Sequence, residues 1–151
     1  MNKKGVTLIE LIIVFVIIAI LAAFIAPGIG SWLPRYRLRS ATRDIVSTMR
    51  TAQIKAVSRR LQYQVNFNVA ANSYILQYNS GGLPFNDGPV QTAPSGITVN
   101  IAGLPGGTAT FNTDCTCPNG GNITLSYEKG GVTQGQKGIS LNPATGRITI
   151  Q

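Results

Sequence analysis

Gly5-Val6-Thr7-Leu8-Ile9-Glu10-Leu11-Ile12-Ile13-Val14-Phe15-Val16-Ile17-Ile18-Ala19-Ile20-Leu21-Ala22-Ala23-Phe24-Ile25-Ala26-Pro27 is the stretch on which the fold turns. Over residues 6–26 the only polar side chains are Thr7 and Glu10, and none occurs over 11–26. A helix needs roughly 20 consecutive apolar residues to cross hydrocarbon, so residues 6–30 are expected to form a helix that spans a membrane or packs into an assembly. Lys3 and Lys4 precede it. Positive charge is retained on the cytoplasmic side, which favours a single pass with the N-terminus cytoplasmic and the remainder on the far side of the membrane. Arg35, Arg37 and Arg39 on the far flank pull the other way.

Two plainer readings compete. A secretory signal would also start basic and apolar, but it is removed whole after an Ala-x-Ala-like site, and the run ends without one. A simple anchor with no assembly role would leave Glu10 unexplained. An acid near the centre of a membrane helix costs about 2.5–3.5 kcal/mol, less near the interface. Glu10 therefore either remains solvated among headgroups or is met by a positive charge from a neighbouring molecule.

Outward from this stretch, the rest of the 151 residues suffices for one modest globular unit. Thirteen Lys and Arg face only five acids, giving a formal charge of +8. The excess is local: Arg35, Arg37, Arg39, Arg43, Arg50, Lys55, Arg59 and Arg60 are opposed within their own segment by Asp44 alone. After position 60, Lys129, Lys137 and Arg147 balance Asp87, Asp114 and Glu128. Histidine, the commonest general base and metal ligand, is missing from the sequence. There is no Gly-x-Ser-x-Gly, no close pair of carboxylates and no phosphate-cradling glycine loop. The chain is thus expected to have no catalytic residues, no cofactor and no metal site, and not to be an enzyme.

Leu38, Ala41, Ile45, Met49, Ala52 and Ala56 recur at intervals of three and four, a stripe along one helix face that Val46 and Val57 are expected to widen. Residues 31–60 are therefore expected to form an amphipathic basic helix continuing the first, with kinks or local opening at Pro27 and Pro34. Residues 61–151 read as β structure. Tyr63, Val65, Phe67 and Val69 alternate with polar residues, and a second strand over 74–78 follows a turn at Ala71-Asn72, forming a hairpin. Further strands are expected at Ile97-Val99-Ile101, Ala109-Thr110-Phe111, Ile123-Leu125-Tyr127, Ile139-Leu141 and Ile148-Ile150, the last two pairing across Asn142-Pro143-Ala144-Thr145-Gly146. Residues 81–95 contain Pro84, Pro89 and Pro94 and read as a loop. A sheet with one apolar face must bury it, and the helical stripe is the one long partner on offer. The expected fold is α+β: a long N-terminal helix packed by its second half on an antiparallel sheet.

The first ten residues, Met1-Asn2-Lys3-Lys4-Gly5-Val6-Thr7-Leu8-Ile9-Glu10, resemble the type IV prepilin family, which includes the pseudopilins of type II secretion. Gly5, Thr7, Leu8, Ile9 and Glu10 match the family pattern, Val6 stands where an aromatic residue or Met is usual, and Pro27 falls at the family's helix break. The segments around Tyr36-Arg37-Leu38-Arg39 and Ala52-Gln53-Ile54-Lys55, and Gly146-Arg147 in the last strand, look like the minor-pilin group containing FimT and the H-type pseudopilin. The resemblance implies a leader over residues 1–5 cut between Gly5 and Val6 by prepilin peptidase, and N-methylation of Val6. It also implies assembly through Thr7 and Glu10, with the new terminal amine of one subunit meeting Glu10 of the next. The implied partners are other pilin or pseudopilin subunits, the inner-membrane assembly platform and membrane lipid. Pili and secretion pseudopili share this N-terminal chemistry.

Some FimT-like members capture DNA through basic residues near a C-terminal Gly-Arg. Here the tail Gly146-Arg147-Ile148-Thr149-Ile150-Gln151 has one arginine, and phosphate contact relies on clustered cations. Arg147 is accordingly the candidate nucleic-acid contact of an alternative, uptake-type function. Cys115 and Cys117 are one residue apart. An intramolecular bridge in so small a ring strains disulfide geometry, so that bridge, a bridge to another subunit and free thiols all stay open.

Overall fold

The computed structural model describes residues 5–129 and 131–151, and for residues 24–31 the backbone only. Lys3, Lys4 and the rest of residues 1–4, and the side chain of Pro27, lie outside the described residues. Helix α1, Leu8–Arg59, is assigned without interruption through positions 27 and 34. Contacts divide the chain into two units, Met1–Pro34 and Arg35–Gln151.

In the first unit the described side chains from Gly5 to Ala23 are all exposed. Among the described residues no helix is long and apolar enough to cross a membrane. Those side chains stop at Ala23, short of the 6–26 run in the sequence.

In the second unit the expected stripe is the buried face of α1: Leu38, Ala41, Ile45, Val46, Met49, Ala52 and Ala56 all lie in the core, Ile45 and Met49 with no exposed surface. Val57 does not widen it. It stands in the last turn of α1 and is 44% exposed.

The strands are β1 (Tyr63–Asn68), β2 (Ser73–Ser80), β3 (Leu83–Asn86), β4 (Gln91–Thr92), β5 (Ile97–Asn100), β6 (Thr108–Phe111), β7 (Asn122–Lys129), β8 (Val132–Leu141) and β9 (Ile148–Ile150). They form two antiparallel sheets rather than one. The first has the order β3-β2-β1-β6, with β4 also paired to β2; the second has the order β5-β7-β8-β9. The β1–β2 hairpin is as expected, with Val65 opposite Leu76 and Phe67 opposite Tyr74. Its turn contains Asn72 at φ 48°, the left-handed region that asparagine tolerates better than most residues. β8 and β9 pair as expected, Leu141 opposite Ile148.

Residues 81–95 are not a plain loop. Leu83–Asn86 adds to the edge of the first sheet, with Pro84 opposite Asn79. An edge strand is where a proline, lacking an amide hydrogen, can be accommodated. β5 stops at Asn100, so Ile101 falls outside it. The inner faces contribute Tyr63, Val65 and Phe111 from the first sheet and Ile97, Ile123, Leu125 and Ile139 from the second. At roughly 1.5–3 kcal/mol per fully buried large apolar side chain, these residues and the α1 stripe make up the main stabilising term of the unit.

Candidate assembly site and the basic helix

Gly5, Val6 and Thr7 precede helix α1, and the helix starts at Leu8. Among the described residues nothing lies within 4 Å of the position a Cβ on Gly5 would occupy, and its φ is outside the left-handed region. The Glu10 amide donates to Thr7 Oγ1 at 3.4 Å, and the Leu11 amide donates to the Thr7 carbonyl at 3.2 Å. Thr7 is thus the N-cap and Glu10 the third helical residue, the Thr-x-x-Glu spacing of a capping box. This local role was readable from the spacing but is hidden behind the question of a buried charge. Glu10 also places its carboxylate at the positive end of the helix dipole. Among the described residues no Lys or Arg meets that carboxylate.

Apolar side chains surround Glu10 on every side of the helix. Exposure runs from 77% at Leu8 to 49% at Ile12, and Phe15, Ile18 and Leu21 all exceed half. Helices hydrophobic all round are buried in something, and an exposed apolar surface this continuous marks an interaction site.

The basic helix is less uniform than its sequence. Lys55 Nζ donates to Asp87 Oδ2 at 2.9 Å, Arg59 Nη1 lies 3.8 Å from the same oxygen, and the Tyr63 hydroxyl donates to it at 2.9 Å. Arg37 Nη1 donates to Ser95 Oγ at 3.3 Å. Asp87, 32 positions away from Lys55 in sequence, thus opposes part of a charge cluster that seemed to have only Asp44.

The Lys55 hydrogen bond, aided by that of Tyr63 and by the Lys55 and Arg59 charges, holds the Asp87 carboxyl below the usual carboxylate range against the opposing effect of burial. A depressed folded-state pKa contributes stability that is present above the unfolded value, about 3.9, and is lost as pH falls through the folded value. Melting temperature measured against pH should therefore drop below about pH 4, and Asp87→Asn should lower it at neutral pH while flattening that acid limb. An acid limb unchanged in the variant would contradict the assignment.

Cys115 and Cys117 are not bridged to each other. Cys117 is in the core, where burial pushes its pKa up to about 11 and makes its thiol unreactive. Cys115 is half-buried at φ 68°. Among the described residues no three Cys, Asp or Glu come together as a metal site would require. Pro34 is half-buried within α1. Arg147 is exposed in the β8–β9 turn, its carbonyl accepting from the Asn142 amide at 3.0 Å.

Residues 1–26 match the model of the prokaryotic N-terminal methylation motif. No curated protein matches the chain. Among solved structures the chain is similar to the type IV minor pilin FimU of Pseudomonas aeruginosa: 18% identity, 78% of this chain and 90% of that one covered, TM-score 0.58. It is also similar to the minor pseudopilin EpsH from the Type 2 Secretion System of Vibrio cholerae: 10% identity, 76% and 94% covered, TM-score 0.56. At these identities the likeness is one of fold.

Proposed function

We propose, for a chain that carries the N-terminal methylation motif on the fold seen in a minor pilin and a minor pseudopilin, a role as a structural subunit of a type IV pilus or type II secretion pseudopilus. Prepilin peptidase cuts between Gly5 and Val6, and Val6 becomes the methylated N-terminus. Before assembly the apolar helix crosses the inner membrane with its start on the cytoplasmic side; afterwards it is buried among other subunits. The supporting observation is the helix start itself. A glycine that meets no described side chain is followed by a capped turn bearing Glu10, and then by apolar side chains exposed on all faces.

The pairing chemistry follows. Cleavage at Gly5 frees an amine close to where α1 begins, and inside an apolar bundle that cation and the Glu10 carboxylate of an adjacent subunit neutralise each other. An unpaired buried charge is far costlier than a paired one, so axial registers that leave Glu10 unpaired are disfavoured. The subunit needs no catalytic group of its own for this, and the assembly platform supplies the work of extrusion. Filaments sheared from assembling cells should contain the chain, detectable by immunoblot after fractionation. Its confinement to the inner-membrane fraction under those conditions would contradict the reading.

A further inference from the structure

Arg39 and Arg43, one turn apart on α1, line one cleft together with Lys137 of β8, Thr42 and Ile150. Its volume is about 230 Å³, several times the ~30 Å³ share of a water molecule in the liquid. Among the described residues that line it, the charged ones, Arg39, Arg43 and Lys137, are all cations and none is a carboxylate. Lys55 and Arg59 are committed to Asp87 and Arg37 to Ser95. Among the described residues Arg39, Arg43 and Lys137 have no anionic partner. The Thr42 hydroxyl is already donated to the Leu38 carbonyl at 2.7 Å, so the cations dominate the cleft's chemistry.

We propose that this cleft binds a phosphate-type oxyanion, clamped between helix α1 and strand β8. The case rests on the convergence of two segments far apart in sequence. By segment, residues 61–151 appear neutral, but Asp87 is drawn to the helix cations at one place, and Lys137 is set beside two other helix cations at another. Two planar guanidinium forks and a primary ammonium suit an anion with several acceptor oxygens and more than one negative charge. Chloride offers neither the charge nor the geometry. Inorganic phosphate and the headgroup of an anionic phospholipid present the same oxygens, and the Ile150 side chain, 44% exposed, gives the cleft one apolar wall.

The test uses the full-length chain in neutral detergent. Sodium phosphate should raise the melting temperature saturably and beyond sodium chloride at equal ionic strength, since a ligand that binds only the folded state stabilises it. Lys137→Gln and Arg43→Gln should each weaken the apparent phosphate affinity about tenfold, while Arg50→Gln, an exposed cation that does not line the cleft, should leave it unchanged. In nanodiscs without added phosphate, a melting temperature higher in phosphatidylglycerol than in phosphatidylcholine, and equalised by Lys137→Gln, assigns the lipid headgroup. A rise only when phosphate is added assigns the free ion. Chloride matching phosphate, or Arg50→Gln weakening the effect as much as Lys137→Gln, would overturn the proposal in favour of diffuse charge screening.

Discussion

Glu10→Leu is expected to leave cleavage after Gly5 intact and to cut incorporation into filaments by tenfold or more. The proposed cleavage bond, Gly5–Val6, lies ahead of the helix, and neither residue depends on the Glu10 side chain for its backbone: the cap uses Thr7 Oγ1 and the Glu10 amide, which leucine retains. Leucine also suits the apolar surface of Leu8, Ile9 and Leu11. What leucine removes is a negative charge, and under the proposed pairing with a neighbour's amine, stranding one partner of a buried pair costs about 3–5 kcal/mol. A tenfold loss needs only about 1.4 kcal/mol, so even a half-solvated site leaves the effect measurable. The readout is the ratio of filament-borne to membrane-borne chain, with processing checked in the same samples. Glu10→Gln separates charge from shape, and it should fail as Leu does. Wild-type incorporation of either variant would remove Glu10 from assembly.

Gly146→Ala is expected to be a strongly damaging small substitution in the second unit, where a Cβ meets backbone and the residue is also left-handed. Gly146 sits in the β8–β9 turn at φ +62°, and a Cβ there would run into the Cys115 carbonyl oxygen while approaching Gln53 Nε2 to 3.0 Å. The left-handed conformation costs an L-residue roughly 1–2 kcal/mol, and forcing atoms into a packed site typically costs 1–3 kcal/mol more. The loop carrying Cys115 is tied to this turn from another side by the Cys117 amide, which donates to the Pro143 carbonyl at 2.9 Å, so it cannot readily retreat. A loss of about 2–5 kcal/mol should lower the melting temperature by on the order of 10 °C. A variant melting within a degree or two of the parent would show that the two loops are not locked together. Gly146 precedes Arg147, so the Gly-Arg pair in the tail has a structural reason for its glycine independent of any ligand.

The parts of the fold legible in the sequence are those whose burial is periodic. The stripe from Leu38 to Ala56 repeats at helical spacing because one face meets the sheets, and β1 alternates because one of its faces does. β8 shows the limit. Its C-terminal part, with Ile139 and Leu141, has an apolar rhythm, but Val132–Gln136 pairs with β7 through residues exposed or only partly buried, so nothing in its hydropathy announces a strand. β3 and β4 were obscured by proline, whose restriction is lifted at a sheet edge. The division into two sheets depends on which edges remain unpaired, information no single strand carries. At the candidate site, Gly5, Thr7 and Glu10 were legible because their chemistry is local. The engagement of Asp87 with Lys55 and the grouping of Lys137 with Arg39 and Arg43 were not, since each joins residues that only the tertiary fold brings together.

Intact-mass and N-terminal mass spectrometry of the chain extracted from membranes of cells with an active prepilin peptidase tests the central claim most directly. The expected product is a mature chain beginning at Val6 and carrying one added methyl group on its terminal nitrogen. A chain still bearing Met1-Asn2-Lys3-Lys4-Gly5 would contradict that claim, because the Val6 nitrogen would then remain a peptide amide and carry no charge to pair with Glu10.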